Sequence, residues 1–344
     1  KKQIYKMVNK QCLLLIITKN KGVINMNTFK KVSLTALGST LIAASSAFAG
    51  AVTVTGSAGI TLEHSDNDDE GNSFSMTDQV VFDGSGELDN GMTISLSLQL
   101  DGNIMDDRSV TIDTPDMGKL VFSGHGGSSA MSAVDDVTPT AYEESWGVIG
   151  STAETTAGRD SMENAIGGGS TDNSFFYTAP EMVDGLGVKV SYTPSGTGRP
   201  DGTMSWNVEY TGIEGLTVGY AQDDNGLSGT SEIEYDTAYV KYAFGSFTVG
   251  FQEGEQDQKG ATTSDDEYSA FGISYQVNDD LSVSYNTSER DFGDGDNDQE
   301  SEAMQLSYTT GGVTIAAALA EVKNVGGSSN AQDDIEGFEV DVSF

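Results

Sequence analysis

The side chains that could do chemistry in this sequence are carboxylates, concentrated in one long segment, residues 124–172. Asp135, Asp136, Glu143 and Glu144 lie there as two adjacent pairs, and the only lysine or arginine in the segment is Arg159. Paired carboxylates with few neighbouring bases create a negative field that attracts cations. Nothing in the sequence sets a nucleophile beside a base, so we expect ion attraction and no enzymatic activity.

A second acidic segment raises the question of bound metal. Asp294, Asp296 and Asp298 alternate along it in the manner of calcium ligands, but the segment lacks the glycine and the distant glutamate of an EF-hand loop. A solvated acidic loop is the simpler interpretation. We therefore predict no metal site and no cofactor, and leave open loose binding of Ca²⁺ or Mg²⁺ at such loops.

Charge is distributed unevenly along the chain. The formal net charge is −36, yet residues 1–49 hold eight lysines and no acid, so the remaining 295 residues carry 9 basic and 53 acidic side chains, a charge of −44. Binding to phosphate backbones needs clustered lysine and arginine, so this composition excludes a nucleic-acid partner. The single cysteine, Cys12, lies in the basic part, which leaves the rest without thiol chemistry.

The basic part has the layout of an export signal. Met26 to Lys31 is short and basic, residues 32–44 are apolar, and Ala47-Phe48-Ala49 is a small-x-small cleavage site. We predict an upstream, non-native extension at 1–25, a signal peptide at 26–49 and a mature protein at 50–344.

Period-two alternation dominates residues 50–344. Met92, Ile94, Leu96, Leu98 and Leu100, for example, alternate with small polar residues. A strand of this kind has an apolar medium on one side and water on the other. Seven short turns alternate with eight longer, acidic connections, which gives sixteen strands, among them 108–114, 281–286 and 302–309.

These strands must position the acidic segment. A sheet that crosses a membrane cannot leave an unpaired edge, because each unpaired backbone group in hydrocarbon costs several kcal/mol. We therefore predict an all-β fold, a 16-stranded antiparallel transmembrane β-barrel in which the first and last strands pair. The acidic segment 124–172 is the third of the long connections.

Two motifs resemble those of a known family. Asn173-Ser174-Phe175-Phe176-Tyr177-Thr178-Ala179-Pro180 with Gly185 is similar to the N-S-x-x-Y-x-S-P…G motif of Gram-negative general diffusion porins, with alanine replacing serine at 179. Phe338, Val340, Val342 and Phe344 resemble the C-terminal strand that the barrel-assembly machinery recognises. The alphaproteobacterial type of porin is the nearest in organisation. The resemblance implies a homotrimer in the outer membrane, with the third loop folded into each pore.

The resemblance also gives the carboxylates a place. Asp135, Asp136, Glu143 and Glu144 become candidates for a pore constriction, where low-dielectric walls strengthen their field. Strand parity points Lys119, Lys189 and Lys241 inward as pore-wall bases. Arg108 is assigned to the wall only loosely, because it shares the parity of Val110 and Ile112.

The resulting prediction is an outer-membrane porin for passive diffusion of small hydrophilic solutes and ions, with a preference for cations. Its partners would be outer-membrane lipid and lipopolysaccharide, further copies of itself, and the barrel-assembly machinery during biogenesis. The alternative is a soluble exported β-rich protein, an adhesin or surface-layer module.

Overall fold

The structure, a computed structural model, describes residues 52–66, 72–102, 104–148, 172–196, 200–259, 265–293, 297–327 and 334–344. The predicted extension at 1–25 and signal peptide at 26–49 lie outside these residues and stay predictions. Among the described residues, no helix is long and apolar enough to cross a bilayer.

Sixteen strands make up almost all of the regular structure in the described residues. They are β1 Thr53–Ser65, β2 Asn72–Glu87, β3 Thr93–Asp101, β4 Ile104–Thr114, β5 Gly118–His125, β6 Ser174–Thr178, β7 Leu186–Thr193, β8 Thr203–Ile213, β9 Leu216–Asp224, β10 Ile233–Phe244, β11 Phe247–Gln258, β12 Asp266–Asn278, β13 Leu281–Asp291, β14 Gln299–Thr310, β15 Val313–Lys323 and β16 Ile335–Ser343.

The strands form one closed antiparallel barrel, as predicted. Each strand pairs with its neighbours in sequence, and β1 closes the ring by pairing with β16 from Gly59↔Ser343 to Ser65↔Gly337. Beyond that ladder, the amides of Ala58 and Phe344 each donate to the other residue's carbonyl oxygen at 3.0 Å. The ring therefore has no free edge, which a membrane-spanning sheet requires.

Alternation along each strand separates two chemical surfaces. The outward face is apolar, and its large side chains are exposed: Phe74 is 65% exposed, Leu319 63% and Val54 57%. Aromatic side chains gather on this face near the short turns, where Phe244, Phe247 and Tyr275 contact one another with ring centroids 5.6 and 4.5 Å apart. Such a girdle is typical of barrels at the membrane–water interface.

Several strands are longer than predicted at the end of the barrel that carries the long connections. The sequence predicts strands at 108–114, 281–286 and 302–309, whereas β4, β13 and β14 begin or end three to five residues further out. The extra residues include Glu289, Glu300 and Asp291, whose acidity suggested loop. Where a strand extends beyond the membrane into water, carboxylates on its outward face are tolerated. Predicting a loop from acidic residues alone therefore ended these strands too early.

Candidate functional site

The described part of the third long connection, residues 126–148, lies against the inward face of the barrel wall. The backbone N–H of Ala130 donates to Ser205 Oγ at 2.8 Å and to Ser191 Oγ at 3.1 Å, while Asn207 Nδ2 donates to the Ala130 carbonyl oxygen at 2.6 Å. Ser191, Ser205 and Asn207 are all buried on β7 and β8. Neutral side chains of the wall therefore satisfy loop backbone groups that have no secondary-structure partner.

Two glutamines continue this pattern around the wall. Gln252 on β11 donates from Nε2 to the Val134 carbonyl oxygen at 2.7 Å and accepts the Val137 N–H at 3.3 Å. Gln305 on β14 accepts the N–H groups of Tyr142 and Glu143 at 3.0 and 3.2 Å, and its Nε2 donates to the Glu143 carbonyl oxygen. We call Ser191, Ser205, Asn207, Gln252 and Gln305 the polar latch.

Apolar packing supports the latch. Met131 and Val134 pack with wall residues of β9, β10 and β12 that include Ala221 and Tyr268, whereas Val148 packs on alanines of β14 and β15. Glycine makes room where the loop comes closest: a Cβ at Gly250 would lie 2.5 Å from the Pro139 ring, and one at Gly272 would lie 2.7 Å from the Pro139 carbonyl oxygen. These two glycines therefore allow the loop to approach the wall closely at Pro139.

The four predicted loop carboxylates lie on this docked segment as two adjacent pairs. Burial, followed by the negative charge of Asp136, raises the pKa of Asp135 to about 7. Burial, followed by a hydrogen bond to Glu143, raises the pKa of Glu144 well above its ordinary value. Because burial and the neighbouring Glu143 both disfavour its charged form, Glu144 carries less negative charge at neutral pH than an exposed carboxylate would. The loop field is therefore weaker than four full charges would give.

A further acidic group, which the sequence did not single out as a site, meets the loop from β16 and β1. Glu63 and Glu339 are directly paired across the strands that close the barrel, and Asp341 follows on the same inward face. Tyr142 of the loop donates its hydroxyl proton to Glu339 Oε1. The tyrosine thus joins the loop to an acidic strip on the wall.

Three of the four predicted wall bases point inward. Lys119 and Lys189 occupy positions paired with Thr178 from either side, on β5 and β7, and Lys241 pairs with Thr217 and Gly250 on β10. Arg108 differs, because it pairs with Leu98 of the outward face and its Nη2 donates to the Gly124 carbonyl oxygen at 3.3 Å. The inward bases therefore lie on β5, β7 and β10, and Arg108 is not part of the pore wall.

Asp294 and Asp296, two of the three weak calcium candidates, lie outside the described residues, so that hypothesis stays a prediction. The polar latch was missed for a different reason. Its members are neutral residues scattered over four strands, and only the closed barrel brings them to one surface. The sequence offers a partial signal, since Gln252 and Gln305 are long amides at inward positions, from which they can reach a segment inside the lumen.

The family model of the Gram-negative porins matches residues 33–331. No curated protein sequence matches the chain. Among solved structures, the anion-selective porin from Comamonas acidovorans superposes with a TM-score of 0.61 at 13% identity, covering 86% of this chain and 99% of that one. Outer-membrane expressed OmpT of Vibrio cholerae gives 0.60 at 15% identity, covering 86% and 98%. A mutant of the Rh. blastica porin gives 0.60 at 16% identity, covering 86% and 99%. At these identities the structures establish the fold alone.

Proposed function

The chain belongs to the Gram-negative porin family, and from that premise we propose that it forms a water-filled channel for passive diffusion of small hydrophilic solutes and ions, with a preference for cations. Its place is the outer membrane. The observation that carries the proposal is the closed ring of sixteen strands with an apolar outward face and a polar inward face. A barrel of this strand number has a lumen wider than its own side chains can fill.

The docked loop would set the width of the channel. Residues 126–148 cover the inward face of β7–β16, so solutes would pass between this segment and the uncovered wall. The latch uses neutral hydrogen bonds, each contributing about 0.5–1.5 kcal/mol, and several of them together hold the loop without relying on ion pairs that salt would screen.

Cation preference rests on side chains and not on the fold, since a barrel of this fold from Comamonas acidovorans is described as anion-selective. Here the loop pairs and the Glu63–Glu339–Asp341 strip lie near the same passage, and the inward bases are three lysines, on β5, β7 and β10. Even with the negative charge of Glu144 reduced by burial, the carboxylates at the passage outnumber the three lysines. A narrow, low-dielectric passage amplifies such an excess.

We further propose a homotrimer, contact with lipid and lipopolysaccharide around the apolar face, and recognition of the C-terminal strand by the barrel-assembly machinery. The soluble adhesin or surface-layer alternative is disfavoured, because a water-soluble barrel would not expose rows of large apolar side chains on its outer face. We propose no enzymatic role, and a screen of hydrolase substrates on the purified protein tests that statement.

Planar-bilayer recording tests the channel and its selectivity separately. If the protein forms a channel, conductance should rise in steps that grow with KCl concentration. Folding of the barrel is checked by the heat-dependent gel shift, the change in mobility on an SDS gel between unheated and boiled samples. Absence of conductance steps from protein that passes this check would contradict the proposal. If the channel prefers cations, the reversal potential measured in a KCl gradient should have the sign expected for K⁺ permeation. The double variant Glu143→Gln/Glu144→Gln should reduce this preference, whereas Glu144→Gln alone should change it little, because burial already raises the pKa of Glu144 and disfavours its charged form.

A further inference from the structure

Three side chains of the types that can ligate metals lie together outside the pore site, where β4 and β5 reach the end of the barrel with the long connections. One ligand atom each from Asp106, Asp107 and His125 fall within 4.8 Å of one another. His125 ends β5 at the point where the chain enters the third long connection, and Asp106 and Asp107 lie near the start of β4. Nothing in the proposed pore function uses these three side chains.

Strand pairing explains why two consecutive aspartates can share one site. Leu98 pairs with Arg108 and Leu100 with Met105, so both Asp106 and Asp107 stand opposite Gln99 in a β-bulge. In a regular strand, consecutive side chains point to opposite faces, and a bulge removes that alternation. Gln99 Nε2 also donates to Asp106 Oδ2 at 3.5 Å.

The backbone around His125 leaves space for the second carboxylate. The β4–β5 register shifts at Gly124, and Gly126 has a positive φ of 60°. A Cβ at Gly126 would lie 1.3 Å from Asp107 Oδ1, so any other residue there would displace that carboxylate. Asp172 contributes a further carboxylate, with Oδ2 at 3.9 Å from His125 Nε2.

We propose that Asp106, Asp107 and His125 form a binding site for a divalent transition-metal cation, of which Zn²⁺ is the representative. An imidazole together with two carboxylates is a donor set that suits Zn²⁺, Ni²⁺ or Co²⁺, whereas Ca²⁺ takes oxygen ligands and Mg²⁺ retains its waters. Three protein ligands around a tetrahedral Zn²⁺ lie about 3.3 Å apart. Rotation of surface side chains can close the present separations to that value. Water, or Asp172, would complete the coordination.

The site differs from the calcium-like run that contains Asp294, Asp296 and Asp298 in its position in the sequence and in its donor atoms. It includes an imidazole, from one of only two histidines in the chain. The other, His64, lies on the outward face of β1 with its ring 5.4 Å from that of Phe338. That arrangement provides a matched control, in which the same imidazole is removed away from the cluster. Asp113, on the same strand β4 and paired with Lys119, provides the matching carboxylate control.

Zn²⁺ titration of the detergent-solubilised protein by calorimetry tests the proposal. Millimolar Mg²⁺ in the buffer occupies weak carboxylate sites, which a chain this acidic will have. We expect one saturable Zn²⁺ site per barrel, weakened at least about tenfold in His125→Gln and in Asp107→Asn, and unchanged in His64→Gln and Asp113→Asn. Each variant is first checked for the heat-dependent gel shift of a folded barrel.

No saturable Zn²⁺ binding by the folded protein would overturn the proposal, as would equal affinity in His125→Gln and the wild type. X-ray absorption at the zinc edge supplies an independent measurement. It should show one imidazole ligand in the wild type and in His64→Gln, and a spectrum of His64→Gln that lacks the imidazole would contradict the assignment. Neither measurement depends on channel activity.

Discussion

Replacing Gln305 by leucine should release the third loop from the wall. Its side-chain amide serves three backbone groups of the loop: the N–H groups of Tyr142 and Glu143 and the carbonyl oxygen of Glu143. Leucine keeps much of the volume but offers no polar atom. Each backbone group left without a partner costs about 1–3 kcal/mol, and the low end applies beside a wet lumen. The total is about 3 kcal/mol, which corresponds to a roughly hundredfold shift from the docked toward the released loop.

Single-channel recording measures this release directly. Gln305→Leu should show either a larger mean conductance or frequent transitions between conductance levels, since the segment that narrows the passage is no longer fixed. Gln79→Leu is the matched control, because Gln79 faces the lumen from β2, away from the strands that bear the polar latch. Conductance and current noise identical to those of the wild type, in a Gln305→Leu barrel that folds normally, would refute the role of the latch.

Three other predictions concern charge, lipid and closure. Burial and the charge of Asp136 raise the pKa of Asp135 to about 7, so Asp135 should ionise between about pH 5 and pH 8. Its ionisation should increase the K⁺ preference measured by the reversal potential, and should slightly weaken loop docking. In Asp135→Asn the K⁺ preference should rise less over this pH range. Val240→Lys places a charge on the outward face and should lower the free energy of unfolding in bilayers by about 2–4 kcal/mol, whereas inward Ser57→Lys should not. Hydrogen exchange should find the paired amides of β1 and β16 as protected as those of interior strands, and rapid exchange there would contradict closure.

The number and order of the strands were predictable because each strand lies between two solvents. Alternation of apolar and polar residues, such as that from Met92 to Leu100, indicates a strand with lipid on one side and water on the other. The regular alternation of short and long connections indicates that consecutive strands are antiparallel neighbours. Ring closure then follows from the cost of unpaired backbone in hydrocarbon. These are local patterns that a single sequence contains in full.

Strand ends and site contacts could not be predicted in the same way. Where both faces of a strand contact water, polar residues occur on both faces and the period-two pattern disappears. The outer parts of β13 and β14 were therefore predicted as loops. The polar latch and the Asp106–Asp107–His125 cluster depend on register shifts and on residues far apart in sequence. The outward position of Arg108 was consistent with its parity, and its pairing with Leu98 settles which face it occupies.

Swelling of proteoliposomes in graded sugars shows whether a continuous water-filled passage, narrowed by the docked loop, runs through the barrel. We expect swelling that is fast with small monosaccharides, declines steadily with sugar size, and extends to larger sugars in Gln305→Leu. Liposomes that contain the folded barrel yet do not swell in the smallest sugar would contradict it.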